Sequence, residues 1–136
     1  MHETEALHIR RLTAEDLEPL HRLLSDPAVM RYLEPPFTRA QTEAFLQKAG
    51  MGREPLIRAV EDGRGFAGYV IYHPYDETSM ELGWVLASDR WGRGYALALT
   101  RQMICRATRH IAEKLGFRPC GMDGGCCVYR LAGKNE

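Results

Sequence analysis

Neither sign of charge dominates this chain: 18 Lys and Arg stand against 18 Asp and Glu, with no block of either. Bulk electrostatic attraction to nucleic acid or another polyanion is therefore not expected. Long apolar runs are also lacking. None approaches the roughly 18 residues of a membrane span, and the N-terminus, Met-His-Glu-Thr-Glu, is polar, which predicts no signal peptide, no membrane partner and a cytoplasmic location. Cysteine is sparse and clustered late, at Cys105, Cys120, Cys126 and Cys127. Without a C-x-x-C spacing these and His110 make a poor zinc site, so no metal is expected and the thiols read as reduced, small apolar fillers. Repeats and low-complexity tracts are absent, and 136 residues, 45% of them hydrophobic, predict one domain spanning 1–136.

Nucleotide-binding fingerprints are missing too. There is no Gly-Lys-Ser/Thr, and the G-x-G at Gly92 and Gly94 is followed by Leu97 where a dinucleotide fold has a third glycine. What is present is a strand-like run, Met80 to Leu86, followed by a helical run from Tyr95, with Asp89-Arg-Trp-Gly-Arg-Gly94 between them. Two glycines at that junction allow a tight turn and a close ligand approach. The start of the following helix offers unpaired N–H groups and the positive end of its dipole, a combination suited to a phosphate or diphosphate. Arg90 and Arg93 place positive charge beside it.

The flanking elements follow from local signals. Ala6 to Leu12 alternates as a half-buried strand, and Thr13-Ala-Glu-Asp16 opens a helix with Leu17, Leu20, Leu23 and Leu24 on one stripe, where Pro19 is tolerable only in the first turns and His21 reads as solvated. Ser25-Asp-Pro27 starts a second short helix through Val29, Met30 and Leu33, and Thr38-x-x-Gln41 is a capping box opening a third. Pro55 to Glu61 and Phe66 to Tyr72 read as strands joined by the Asp62-Gly-Arg-Gly hairpin. Leu97, Leu99, Met103 and Ile104 mark the expected buried side of the helix after the glycine loop, and Phe117 to Gly121 and Cys126 to Leu131 read as a final strand pair. Strand, helices, three strands in series and a glycine turn into a helix predict an α+β domain with a mostly antiparallel sheet.

Glu81-Leu-Gly-Trp-Val-Leu86 with Arg90-Trp-Gly-Arg-Gly-Tyr-Ala96 resembles the acyl-CoA motif of the GNAT acetyltransferases, most closely the branch that acetylates ribosomal-protein N-termini. Asp26-Pro-Ala-Val-Met-Arg-Tyr-Leu33 with Pro36-Phe-Thr38 resembles the same branch. The resemblance implies a GNAT-like mixed sheet flanked by helices and acetyl transfer from acetyl-CoA, as cosubstrate, to an amine acceptor. It places the coenzyme against Trp84, Val85, Leu86, Arg90, Trp91, Gly92, Arg93, Gly94, Tyr95 and Ala96, with Asp89 standing where the family has Gln or Arg. It assigns the acceptor side to Tyr32, Glu34 and Phe37, leaves a homodimer compatible, and offers Glu81 as base, with Asp76 and Glu77 as second choices. The family's acid, a tyrosine on the late helix, is Ala112 here, so Thr108 is the substitute candidate.

One stretch departs from the family. Thr108 to Phe117 resembles its late helix, yet the strand that precedes that helix is missing between Cys105 and Arg109. Either a single helix runs from Tyr95 to Leu115, or the protein carries a segment there that this sequence omits. The cost of unpaired strand edges favours the second. The competing function is an inert acyl-CoA-binding or interaction domain that kept the pocket and lost the chemistry.

Overall fold

The computed structural model describes residues 7–74, 79–114, 117–123 and 126–131, with side chains described as far as residue 110. A short strand β1 (His8–Arg10) leads through a 3-10 turn at Ala14–Asp16 into α1 (Leu17–Leu24). Thr13 and Asp16 close a capping box there, and Pro19 falls in the first turn of α1, where its missing N–H costs little. Next come α2 (Pro27–Met30), capped by Asp26, and α3 (Arg39–Phe45), whose Thr38/Gln41 box forms as the sequence predicts. A wide π-type turn, Leu46–Gly50, ends α3. Strands β2 (Ile57–Asp62), β3 (Gly65–Pro74) and β4 (Met80–Leu86) follow, then α4 (Tyr95–Lys114) and the pair β5 (Phe117–Asp123) and β6 (Cys126–Leu131).

The main sheet has the order β1-β2-β3-β4, antiparallel throughout, while β5 and β6 pair with each other. Alternation along the strands sends side chains to two cores. Ile57, Ala59 and Tyr69 meet Leu20, Leu23, Leu24 and Leu46 on the α1–α3 side, whereas Val60, Val70 and Leu86 meet Tyr95, Leu99 and Met103 of α4 on the other. His21 is half-buried, with Nδ1 3.0 Å from the fully buried Thr42 hydroxyl, so it bridges α1 and α3 rather than facing solvent.

The α+β expectation holds, and the family's strand after the central helix is missing as the sequence reads: residues 105–109 lie inside one unbroken helix, α4, and among the described residues β4 is the edge of its sheet. One correction concerns α4, whose expected buried stripe divides. Leu99 and Met103 are fully buried, but Leu97 is 62% exposed and Ile104 47%. At about 100° per residue, Leu97 and Ile104 share one side and Leu99 and Met103 another, roughly 100–160° away, so one sheet does not cover both.

Candidate active site

Strand β4 ends at Leu86 and the chain turns through a 3-10 turn, Ser88–Arg90, before α4. Gly92 and Gly94 take φ of +74° and +80°, a conformation that costs any other residue. A Cβ on Gly92 would meet open space. The Arg90 and Trp91 amides bond back to Ala87 and Ser88, which fixes the turn. Among the described residues no protein acceptor meets the amides of Gly92, Gly94 or Ala96. They border a cavity of about 420 Å³ lined by Trp84, Val85, Leu86, Arg90, Trp91, Gly92, Gly94, Tyr95 and Ala96, with Val29, Tyr32 and Leu33 opposite. Nine of the ten coenzyme candidates thus line one cavity. Arg93 is not among its lining, and its Nε donates to the Asp89 carbonyl at 3.2 Å.

Arg90 does something other than the sequence suggests. Its guanidinium is committed to protein carboxylates: Nε and Nη2 donate to Asp62 at 2.9 and 3.1 Å, and Nη1 to Asp89 at 3.0 Å. Asp62 also accepts from the Tyr95 hydroxyl at 2.9 Å and the Arg64 amide at 2.8 Å. The Asp62 side chain is 3% exposed and that of Arg90 9%. Chiefly through the Arg90 bonds, the Asp62 carboxyl is held well below the usual carboxylate range. With its charge answered by two carboxylates, Arg90 has little left for an anion; it anchors the loop and the first turn of α4 to the β2–β3 hairpin. Ser88 adds a second tie, donating to Asp26 at 3.1 Å, and the Trp91 indole donates to the Leu86 carbonyl at 3.0 Å.

A second cavity, about 470 Å³, lies on the α1–α3 side of β4 and shares Leu33 and Val85 with the first. Phe37, Phe45 and Tyr69 form an aromatic wall, the first two edge-to-face at 6.0 Å and the last two at 5.7 Å. Burial, with help from the Glu34 charge, pushes the Tyr69 phenol up to about 12. Glu34, His73 and Glu81 supply polar edges. His73 and Glu81 face each other across β3 and β4, with Nε2 3.1 Å from Oε2.

The structure therefore divides the acceptor-side candidates: Glu34 and Phe37 border the second cavity, Tyr32 the first. Thr108 is exposed on α4, outside the lining of both and about 20 Å along the helix from Tyr95. Asp76 and Glu77 lie outside the described residues, as does the side chain of Ala112. Sequence reading missed Asp62 and His73, since each acquires its partner through strand register.

Comparison with known proteins agrees with this geometry. The model of the acetyltransferase (GNAT) domain matches residues 6–118. An uncharacterized N-acetyltransferase, YnaD of Bacillus subtilis, is 30% identical over 96 residues, which cover 68% of this chain and 56% of YnaD; the match thus spans little more than half of that relative. Among solved structures, a GNAT-family acetyltransferase from Bacillus anthracis superposes with a TM-score of 0.69 at 25% identity, covering 85% of this chain and 82% of that one. Spermidine N-acetyltransferase from Vibrio cholerae, in complex with CoA and spermine, gives 0.62 at 22% over 86% and 83%. The ribosomal-protein-alanine N-acetyltransferase of Brucella melitensis gives 0.57 at 22% over 84% and 86%. No helix among the described residues is long and apolar enough to cross a membrane. The match over most of the chain settles the classification: this protein belongs to the GNAT acetyltransferase family.

Proposed function

We propose that this protein moves an acetyl group from acetyl-CoA to a primary amine by direct attack, in the cytoplasm. The observation that carries the reading is the glycine loop, whose amides of Gly92, Gly94 and Ala96 border a cavity with no described protein acceptor. A diphosphate fits that cradle: backbone donors sit at a helix start, and open space lies where a Gly92 side chain would project. From there an extended arm has the edge of β4 to pair with, Trp84 to Leu86 first, and in this reading a β4 amide stabilises the oxyanion. Glu81 stands five residues, about 17 Å, along β4 from Leu86, at the end such an arm would reach. In this reading Glu81 receives the proton of the incoming ammonium, Glu34 and Phe37 border the acceptor, and Tyr32 closes over the loop cavity. Thr108 lies outside the lining of both cavities, and in this reading the thiolate leaves with a proton from solvent.

The names of the relatives bracket the acceptor between a polyamine and a protein N-terminus. The second reading, an inert acyl-CoA-binding domain, draws support from β4 being an edge strand. The two part on one assay: thiol release from acetyl-CoA with a panel of peptides, polyamines and simple amines, beside calorimetric titration of coenzyme A. Turnover with any amine supports transfer, and tight binding without turnover supports the inert domain. Replacement of Gly92 by Leu should abolish coenzyme binding at little cost to folding; unchanged affinity would refute the loop assignment.

A further inference from the structure

The second cavity joins features that the acyl-transfer reading does not by itself explain. Its walls are apolar and aromatic, built from Leu24, Met30, Phe37, Phe45, Tyr69 and Ile71, and among the described residues its titratable groups are Glu34, Tyr69, His73 and Glu81, with no Lys or Arg. The segment after α2 supplies Glu34, β3 supplies Tyr69 and His73, β4 supplies Glu81, and α1 and α3 contribute only apolar side chains.

Resting on the acyl-transfer reading, we propose that this cavity takes a primary amine carried on one apolar body, and that His73 and Glu81 act as a pair that receives its proton. The carboxylates favour a cation, and they stand on one edge of an otherwise apolar chamber. A polyamine, with charges spaced along its length, would have to bury an ammonium against Phe37, Phe45 and Ile71 without a partner. An arylalkyl or branched aliphatic amine meets both halves of the cavity.

The pairing of His73 gives it a direction. Its Nδ1 lies 3.0 Å from the Pro74 carbonyl, which can only accept, so Nδ1 carries a hydrogen. Nε2 lies 3.1 Å from Glu81 Oε2, a contact in which the two share one proton. With the shared position empty, Glu81 takes one proton from the bound ammonium and shares it with His73 Nε2, which leaves Glu81 a carboxylate and His73 an imidazolium. The free amine forms a C–N bond at the thioester carbonyl, the C–S bond breaks, and the nitrogen loses a second proton. The thiolate takes up one proton, and His73 releases the other through the half-exposed Glu81, so one proton leaves per amide formed.

The same chemistry is offered by a free arylalkylamine and by an N-terminal residue with a large apolar side chain. The test compares kcat/KM for 2-phenylethylamine, the dipeptide Phe-Ala, spermidine and ethanolamine at saturating acetyl-CoA. At least one of the first two should exceed both others by at least about tenfold, and their mutual ratio identifies the source; spermidine or ethanolamine matching them overturns the substrate class. His73→Gln should lower kcat at least about tenfold, leave KM for acetyl-CoA within about twofold, and remove one ionisation from the kcat–pH profile. A merely structural role would not change the shape of that profile. Glu34→Gln, on the rim, should raise KM for the amine with kcat kept. Wild-type kcat and pH profile in a folded His73→Gln protein overturn the role of the pair. Coenzyme A titration on the same samples separates the failures: binding without amine preference sinks this inference alone, whereas no binding sinks the acyl-transfer reading and this inference with it.

Discussion

Replacing Arg90 with Leu tests the anchor beneath the glycine loop. The substitution strands the Asp62 side chain, 3% exposed, with only the Tyr95 hydroxyl and the Arg64 amide as partners among the described residues. Removing one member of a buried ion pair costs about 3–5 kcal/mol, and because two bonds to Asp62 survive, a loss near 3 kcal/mol is expected. That is a large part of the roughly 5–15 kcal/mol that holds a domain folded. At a urea slope of about 1–3 kcal/mol per molar, the midpoint falls by about 1–3 M. Acid supplies a second readout. Asp62 titrates below its unfolded value chiefly because of Arg90, so the pair stabilises fully above about pH 4 and loses that contribution as pH falls towards the depressed folded value. In Arg90→Leu the unpaired carboxyl is instead relieved by protonation, and the acid-side slope flattens. Changing both Asp62 and Arg90 to Leu should recover most of the stability but not coenzyme affinity, since the tie to the β2–β3 hairpin stays cut. A single variant within about 0.5 kcal/mol of wild type, binding coenzyme A normally, would refute the anchoring argument.

Gly68→Ala should cost about 2 kcal/mol or more and disturb coenzyme binding, read by thermal shift with and without coenzyme A. A Cβ there would stand 2.2 Å from the Val85 carbonyl oxygen at a φ of +151°, so β4 must move. Leu99→Ala should destabilise by about 2–5 kcal/mol in urea, whereas Leu97→Ala should stay within about 0.5 kcal/mol; equal effects would contradict the two-sided character of α4. Peptide-mapping mass spectrometry should find residues 105–109 contiguous, as the single helix α4 has them. A heavier chain whose extra residues map between Cys105 and Arg109 would restore the further strand.

Features encoded by neighbours in sequence were legible. The Thr38/Gln41 box, the Asp62-Gly hairpin and the paired glycines at positive φ depend on contacts within a few residues, and each formed where its residues stand. The partner of Arg90 was not legible, because Asp62 lies 28 positions earlier and reaches it only once the sheet has assembled. His73 opposes Glu81 through the register of β3 and β4, which a lone histidine in a turn-like His-Pro does not announce. Leu97 and Ile104 looked buried because apolar spacing marks a helical side without saying whether anything covers it. The unbroken α4 is one of the two arrangements the sequence allows, and the unpaired edge falls on β4. In the proposed reaction that edge is where an extended ligand pairs.

Amide NMR of the 15N-labelled protein during titration with coenzyme A reads the glycine-loop amides themselves. The Gly92, Gly94 and Ala96 resonances should shift most, saturating with the calorimetric affinity, and inorganic diphosphate should move the same three. Coenzyme A bound tightly while those amides stay unmoved, or no binding at all, would contradict the loop assignment.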